Sequence, residues 1–568
     1  MRAPAYLRTL GWIALALSGA FLAVFLILPL GMTITQGLRP SALIAALAHP
    51  LYRQGLLNSA AIACITTLLS TLLAVPVALV MARYRFRGRA LMEALLLSPL
   101  ILPPFVGALG VAQLFGQFGA VNAALAALGA VEPGGGPDWL YAHRFALVCA
   151  LEALHLYPII YLNTATSLSH LDHSLVEAAQ MLGAGRWTVL SRVVLPLITP
   201  GLFGGGIVVL VWSFTELGTP LMLGYDRATP VQIFSGLNEL SANPVPFALV
   251  AIMLAIASAL YLIARRVFLR RHQTLLAKSS VRLSPTLLRG WQALSALSLP
   301  ALVVVLAILP HIAVVLIAFS QVWYATIMPT GATLAHLADA LAHPAVVPGV
   351  VNSLRYAAGA TVLCLLLGAF LAWVVVRWRP VGWQAFDVLA MLPLAVPGVV
   401  MAFGFFIFCQ ALRIYHLDAL YAVLDPVGDP TLLLIIAYAI RRLPHVVRAS
   451  AAGLAQVPHA YEVAAASLGA GMAYRLRRIT LPLISGSLLA GGLLAFCYSM
   501  LEVSDSLILA QKQEYFPITK VLFELVTILG PGPSMACALA LWAMLFLASI
   551  LWLASAALGK GASAMFSD

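Results

Sequence analysis

The most restrictive feature of this sequence is its series of long apolar stretches. A helix that crosses a bilayer needs about 20 predominantly apolar residues, and we identify twelve such stretches. We therefore predict an all-α polytopic membrane protein with about 12 transmembrane helices. The predicted spans of the first half are 11–31, 56–82, 91–115, 145–167, 193–223 and 244–267. Those of the second half are 295–319, 351–376, 385–411, 430–449, 479–510 and 533–557.

The composition excludes a large soluble protein. Only 9% of the residues are charged and 62% are hydrophobic, whereas an average soluble domain has about 25% charged residues. The net charge of +12 comes from basic residues in short segments between apolar stretches, a pattern typical of membrane topology, so we expect no nucleic-acid partner. The six cysteines lie in or beside apolar stretches without a CxxC pair, so we predict neither a disulfide framework nor a metal site.

The distribution of Lys and Arg predicts the orientation. The stretch after Arg2 and Arg8 is long for a signal peptide, so we interpret it as a first membrane helix. With that basic end inside, 24 of the 32 basic residues lie on the inner side, which predicts two cytoplasmic termini. The remaining eight are Arg39, Arg53, Arg144, Arg227, Arg355, Arg413, Lys512 and Lys520.

The chain contains an internal duplication. The segment LGAG recurs at 182–185 and 468–471, and LPLI recurs at 195–198 and 481–484, both at an offset of 286 residues. Earlier in each half the offset is 294, which relates Gly110 to Gly404. We predict two homologous six-helix halves of the same orientation, 1–272 and 294–568, joined by a cytoplasmic linker, 273–293. Their interface is a natural place for a translocation path.

A short amphipathic segment between two spans is present in both halves, at about 170–196 and about 456–482. In the first copy, Ser174 and Glu177 fit a capping box, which predicts a helix start. Gly183 and Gly185 then predict its end, and Leu195-Pro196 marks the return into the membrane. Such an apolar helix either lies on lipid or docks on a protein. Two copies at matched positions favour two docking sites on a partner that is itself twofold.

These segments resemble the "EAA" loop of permeases from ATP-binding-cassette (ABC) importers. The pattern is E-A-A, three residues, G, nine residues, a β-branched residue, then x-L-P. The first half matches it with Glu177, Ala178, Ala179, Gly183, Val193, Leu195 and Pro196. The second half has Val463, Ala464, Ala465, Gly469, Ile479, Leu481 and Pro482, with Glu462 one residue before the usual Glu position. A one-residue shift turns a helical side chain by about 100°, so the ATPase salt bridge is expected at Glu177, and Glu462 stays among the candidate coupling residues although it is turned away from the usual position.

The resemblance implies a type I ABC importer (MetI-like) fold and a set of partners. It implies two copies of a cytoplasmic ABC ATPase, one on each loop, and a periplasmic or lipid-anchored solute-binding protein. The sequence lacks the G-x-x-x-x-G-K-[S/T] phosphate loop. We therefore expect ATP and Mg to bind the partner ATPases, no cofactor on this chain and no enzymatic activity. The expected location is the bacterial inner membrane, with contacts to lipid.

Charged residues within the predicted spans are candidates for function, because burying a charge in lipid is costly. Glu216 and Glu502 are related by the 286-residue offset, and Asp505 lies one helical turn after Glu502. Glu152 and His155 share a helix face. Glu216, Glu502 and Asp505 either line the substrate path or its outer gate, or lie at the outer water interface, and Glu152 and His155 are further candidates to face the path. The loop residues His170, Asp172 and His173 are read as solvated rather than as metal ligands.

The sequence does not fix the solute. The segments FTELGTPLMLG (214–224) and LEVSDSLILAQ (501–511) resemble those of fused ferric-iron permeases, with thiamine permeases as near relatives. Ferric iron is the first expectation, and thiamine, phosphonate and polyamine remain open. A secondary transporter of the major-facilitator type is the alternative of a different class, since it also has six plus six spans. A membrane enzyme is disfavoured because no HExxH or CxxC motif is present.

Overall fold

Helices make up nearly all of the computed structural model, which describes residues 5–100, 103–169, 171–239, 243–272 and 286–558. The longer helices are Ala5–Leu22, Leu28–Gly37, Pro50–Arg83, Trp139–Ser169, Leu195–Thr215, Val245–His272, Trp291–Phe319, Val346–Trp373, Gly398–Ile414, Thr431–Gln456, Leu481–Met500 and Gly532–Leu558. Four π-helical segments, Ala23–Ile27, Leu190–Val194, Val374–Trp378 and Leu476–Thr480, extend or join them.

Shorter helices connect these elements or line their ends. They are Pro40–Ala48, Arg89–Leu97, Pro104–Phe115, Ala120–Ala127, His173–Met181, Arg186–Val189, Gly218–Met222, Thr229–Ser235, Ala335–Ala342, Trp383–Met391, Asp418–Val423, His459–Ser467, Met472–Arg475, Ser504–Leu509 and Ile518–Thr527, with 3₁₀ turns at Ser98–Leu100, Gly236–Glu239, Leu392–Leu394 and Gln513–Tyr515. Strand Tyr84–Arg85 pairs in parallel with Thr286–Leu287, and Ser320–Val322 pairs antiparallel with Thr330–Ala332.

The all-α polytopic fold is confirmed. Within the described residues nine helices are long and apolar enough to cross a membrane, and a bent helix pair raises the number to ten. Each of the twelve predicted spans lies in a helix or a broken helix pair. The predicted span 244–267 lies in Val245–His272, whose uncharged stretch runs from Val245 to Ala264. One predicted span is more polar than the others, because Thr431–Gln456 carries Arg441, Arg442 and Arg448.

Four predicted spans are interrupted, so the prediction that each is one continuous helix is wrong. The predicted span 385–411 consists of Trp383–Leu394 and Gly398–Ile414, which meet at 107°, and 91–115 is likewise split between Arg89–Leu97 and Pro104–Phe115. Proline near each break removes a backbone donor and ends the helix. Spans 193–223 and 479–510 end early, at Thr215 and Met500.

The two halves exchange their first helices. Leu28–Gly37 of the first half packs on Gly398–Ile414 of the second, and Trp291–Phe319 of the second half packs on Pro104–Phe115 of the first. The second of these helix pairs is in close backbone contact at Gly110, where an added Cβ would lie 1.9 Å from the carbonyl oxygen of Pro310. Small residues permit such backbone contact between membrane helices. The predicted linker 273–293 lies largely outside the described residues.

Candidate coupling loops and buried charge cluster

The two predicted loops have the same backbone. Each begins with a nine-residue helix, His173–Met181 or His459–Ser467. Each helix ends at a glycine in the left-handed region, Gly183 with φ +82° and Gly469 with φ +86°. The amide of residue 184 donates to the carbonyl of 179, and that of 470 donates to 465, both at 3.0 Å. This is the Schellman arrangement, which satisfies the last carbonyls of a helix.

The start of the first loop differs from the prediction. The carboxylate of Asp172, not the hydroxyl of Ser174, caps the helix, since it accepts a hydrogen bond from the Ser174 amide at 3.0 Å. The predicted capping box is therefore wrong, because the helix begins one residue earlier than Ser174. His170 and the side chain of His173 lie outside the described residues. The described residues contain no group of three or more potential ligands that could hold a metal ion.

The outward faces of the loops match at the residues of the shared motif apart from Glu177 and Val463. Leu182 and Leu468 are each 89% exposed. Ala178 and Ala464 are exposed, Ala179 and Ala465 are half-buried, and the prolines of both L-P pairs are exposed beside half-buried Leu195 and Leu481. Those pairs begin the helices Leu195–Thr215 and Leu481–Met500, where proline is tolerated because the first amides have no helical partner. Each loop thus presents one apolar face to the outside.

The glutamates of the two loops point in different directions. Glu177 is exposed. Glu462 is buried, and its Oε1 accepts a hydrogen bond from the Thr480 hydroxyl at 3.0 Å. Arg377 Nε lies 3.6 Å from the same oxygen, and His459 Nδ1 lies 3.6 Å from Oε2. The residue aligned with Glu177 is Val463, which is 50% exposed. Glu462 therefore ties the second loop to its own half of the chain.

The inner face of the first loop is apolar at the equivalent positions. The 286-residue offset relates Glu462, Arg475 and Thr480 to Val176, Val189 and Val194. Val176 and Val189 are buried in an apolar cluster, and Val194 packs against it. Charged and hydrogen-bonding side chains in one loop thus replace apolar contacts in the other.

The predicted path residues of the first half gather around the segment Trp212–Glu216. Glu152 is buried and accepts a hydrogen bond from the Ser213 hydroxyl. The His155 ring packs edge-on against Trp212 at 6.2 Å between centroids. Glu216 accepts hydrogen bonds from Trp212 Nε1 and from the Gly218 amide, each at 3.1 Å. It lies where the helix Leu195–Thr215 ends, so its carboxylate binds the first turn of the next short helix.

The second half pairs its carboxylates with arginines. Glu502 forms ion pairs with both Arg441 and Arg442, and its Oε1 also accepts a hydrogen bond from the Ser504 amide at 3.2 Å. Arg441 lies 3.6 Å from Asp505, a fully buried residue. Arg442 further donates to the carbonyl of Tyr498 at 2.9 Å. Buried charges of opposite sign compensate one another in this half.

The two groups form one cluster at the interface of the halves. Gly218 faces Val503, since an added Cβ would lie 3.5 Å from Val503 Cγ1. Glu216 interacts electrostatically with Glu502 and with Arg441 across this contact. Glu152 lies 17 residues before the loop end of its helix at Ser169, which is about 26 Å at 1.5 Å per residue. The charge cluster is therefore far from the loops.

Sequence reasoning missed Arg442, Tyr438, Arg377 and Thr480. Arg442 had a usable signal, because two consecutive arginines interrupt an apolar stretch there. Tyr438, whose hydroxyl hydrogen-bonds with Ser506 at 2.7 Å, aligns with Glu152 at the repeat offset and could have been found in that way. Arg377 and Thr480 gave no signal, because their contacts with Glu462 span 85 and 18 positions of the chain.

Fold and loops together define a helical membrane permease made of two homologous halves. Residues 74–273 and 364–555 each match the family described as binding-protein-dependent transport system inner membrane component. The chain belongs to this family and carries its domain twice. The alternative of a major-facilitator transporter is therefore wrong.

Several permeases are similar to this chain. A probable ABC transporter permease, y4fN, from Sinorhizobium fredii is 28% identical over 76% of this chain and 75% of its own length. A putative ferric transport system permease, FbpB 1, from Haemophilus influenzae is 24% identical over 79% of this chain and 68% of its own. The molybdenum transport permease ModB from Mycobacterium tuberculosis is 34% identical over 34% of this chain and 70% of its own.

Proposed function

We propose that this chain is the membrane-translocation subunit of an ABC importer. Two copies of a cytoplasmic ATPase dock on the two loops, and an external solute-binding protein delivers the solute to the opposite side. The observation that carries this proposal is the pair of loops with one backbone and matched exposed residues, Leu182 and Leu468. Exposed apolar side chains of this kind mark contact sites for a partner. Both termini are then cytoplasmic, and ATP and Mg bind the partners.

The loops transmit ATPase closure to the membrane helices. Each loop leads through a short helix and a π-helical segment into a long helix, Leu195–Thr215 or Leu481–Met500. Each long helix ends beside Glu216 or Glu502 of the charge cluster. Movement of a loop is passed along a rigid helix to that cluster, which serves as the outer gate. A ligand or partner shifts such an equilibrium only as far as it binds the two states differently.

The carboxyl groups of the cluster favour a cationic solute. Four of them, of Glu152, Glu216, Glu502 and Asp505, lie together with two guanidinium groups, of Arg441 and Arg442. Carboxyl oxygens are ligands that suit a hard cation and not an oxyanion. Together with the similarity to a ferric permease over most of the chain, this leads us to propose ferric iron. The likeness to a molybdenum permease covers only one third of the chain.

Co-purification tests the docking of the ATPases. The tagged chain is extracted from its native host in mild detergent, with Gly183→Val and Gly469→Val combined in one variant. A β-branched residue is strained at positive φ, and no neighbour lies within 4 Å of the added Cβ at either glycine, so the change acts on the loop backbone. We expect two ATPase copies per chain with the wild type and none with the variant.

Gly185→Val with Gly471→Val is the matched control. These glycines also have open space around an added Cβ, but their φ angles of −66° and −63° suit any residue. The control variant should retain the ATPases. If neither the wild type nor the control retains an ATPase after cross-linking, the proposed docking is wrong.

Uptake into proteoliposomes tests the solute. The chain is reconstituted with its ATPase and binding protein, and radioactive ferric iron and molybdate are supplied separately. We expect ATP-dependent uptake of iron only, reduced severalfold by Glu152→Gln combined with Glu216→Gln. Uptake of molybdate alone would overturn the cationic solute without affecting the docking of the ATPases.

A further inference from the structure

A pocket of about 290 Å³ lies behind the second loop, and the transport mechanism does not use it. Its wall includes Gly11 of the first membrane helix and the tryptophans Trp373 and Trp378. Arg377, Arg475 and Glu462 supply its charges. The pocket therefore touches the loop and the ends of two membrane helices at once.

Both arginines have unused hydrogen-bond donors. Arg377 Nη2 donates to the carbonyls of Leu454 and Val457 at 3.0 and 2.6 Å, and Arg475 Nη1 donates to the carbonyl of Glu462 at 3.3 Å. The Nε atom of each arginine is buried without a hydrogen-bond partner. A buried donor without an acceptor is destabilising, so this pocket favours a ligand that brings acceptor oxygens.

The charge of the pocket favours an anion. Two guanidinium groups face one carboxylate, that of Glu462. That carboxylate is engaged through Oε1 with Thr480 and with Arg377, whose Nε lies 3.6 Å away, and through Oε2 with His459. One positive charge remains in excess. Arginine forms its strongest hydrogen bonds with phosphate and carboxylate oxygens.

The aromatic wall indicates where the pocket opens. The Trp378 ring lies 5.1 Å from the ring of Trp12 and 5.5 Å from that of Trp373. Trp12 is 50% exposed and stands at the start of the first membrane span. Tryptophan concentrates at the level of lipid headgroups, and basic pockets at the ends of membrane helices bind phospholipid headgroups.

We propose that this pocket binds a phosphate group, supplied by the headgroup of an anionic phospholipid. The ligand oxygens accept from the guanidinium groups of Arg377 and Arg475, and the tryptophans contact the adjoining glycerol and acyl carbons. The arrangement is not repeated at the equivalent described positions of the first loop, where Val176, Val189 and Val194 replace Glu462, Arg475 and Thr480. Free phosphate has the same chemistry and is the second possible source.

A bound phosphate would connect the loop to the membrane helices. Arg475 belongs to the short helix Met472–Arg475 of the loop, whereas Arg377 lies at the end of a membrane helix. One anion between the two guanidinium groups steadies the second loop against its half. Binding itself is independent of the proposed transport function and is measured without an ATPase.

Native mass spectrometry of the delipidated full chain tests the proposal. The chain is titrated with phosphatidylglycerol, with diacylglycerol of the same acyl chains, and with inorganic phosphate. We expect phosphatidylglycerol to bind and Arg475→Ala to weaken that binding about tenfold, as the loss of a hydrogen bond to a charged group implies. Arg478→Ala, an exposed arginine three residues further along and outside the pocket, is the matched control and should bind as the wild type does.

Each outcome decides the proposal. Arginine-dependent binding of phosphatidylglycerol without competition from inorganic phosphate assigns the pocket to lipid. Competition by inorganic phosphate confirms the phosphate site and adds the free ion as a source. If Arg475→Ala and Arg478→Ala bind phosphatidylglycerol equally, or if diacylglycerol binds as well as phosphatidylglycerol, the proposal is wrong. Arg377→Lys, which keeps the charge but removes Nε, distinguishes a lost contact from a misfolded loop.

Discussion

The first and second loops have nearly the same backbone but are attached to the protein by different chemistry. Gly183 and Gly469 end the two helices with the same φ and the same hydrogen bonds. Val176 packs the first loop into an apolar cluster, whereas Glu462 binds the second through Thr480 and Arg377. Since the exposed leucines Leu182 and Leu468 match, duplication has preserved much of the surface proposed to bind the ATPases, while the inner contacts have changed.

The charge cluster shows the same difference between the halves. Glu152 with Ser213 in the first half corresponds to Tyr438 with Ser499 in the second, and His155 corresponds to Arg441. The second half therefore neutralises Glu502 and Asp505 internally. Glu152 and Glu216 accept hydrogen bonds from neutral donors. We therefore predict a structural role for the second-half carboxylates, and in the proposed function those of the first half face the solute.

The largest expected effect comes from removing Glu502. In Glu502→Ala, Asp505 is the one carboxylate of the second half that remains beside Arg441 and Arg442 in the cluster. Breaking a buried ion pair in this way costs about 3–5 kcal/mol of folding free energy. Glu216→Ala removes hydrogen bonds from Trp212 and Gly218, which should cost only about 1 kcal/mol. Thermal unfolding of the full chain in detergent compares the two variants.

Equal destabilisation by the two substitutions would contradict this division of roles. Glu502→Asp, which keeps a carboxylate at this position, is the control for the loss of the ion pairs. The shorter carboxylate should recover part of the stability, because the two guanidinium groups remain compensated.

The sequence was sufficient to predict the fold class and the loops, because both depend on local patterns. Apolar length indicates a membrane helix regardless of what surrounds it, and the repeat offset aligned Gly183 with Gly469 before any contact was known. The direction of Glu462 also followed from a local rule, since one residue along a helix rotates a side chain by about 100°.

The remaining features depend on contacts between distant segments. The breaks after Thr215 and Met500 place Glu216 and Glu502 at helix ends, although hydropathy continues through both. The exchange of first helices between halves leaves no periodic signal in the sequence. Arg377 reaches Glu462 from another membrane helix, so neither the polar inner face of the second loop nor the pocket beside it could be predicted.

An intermediate effect is expected from exchanging the inner faces of the loops. Glu462→Ala removes a buried acceptor from Thr480 and Arg377 and should cost about 2 kcal/mol. Glu462→Val, Arg475→Val and Thr480→Val combined give the second loop the residues of the first. Replacing a buried polar group together with its partners is often neutral, but Arg377 remains without its carboxylate, so the triple variant should recover only part of the stability lost in Glu462→Ala.

Val176→Glu is the mirror experiment in the first loop. It buries a carboxylate in an apolar cluster and should lower the unfolding temperature more than any of the changes in the second loop. Were the triple variant less stable than Glu462→Ala alone, the two inner faces would not be interchangeable solutions to the same packing problem.

The smallest effect concerns the outward faces and tests whether the two ATPase contacts differ. An exposed salt bridge contributes about 0.2–1 kcal/mol, so Glu177→Ala should weaken ATPase binding by up to about fivefold. Val463→Glu places a carboxylate at the equivalent, half-exposed position and should strengthen binding by a similar factor. Ala464→Glu, rotated by about 100° on the same helix, is the control and should not. The measurement is the affinity for the ATPase at rising salt concentration. Both effects should fade as the charges are screened, if they come from ion pairs. A gain from Val463→Glu that persists at high salt would come from packing and not from an ion pair.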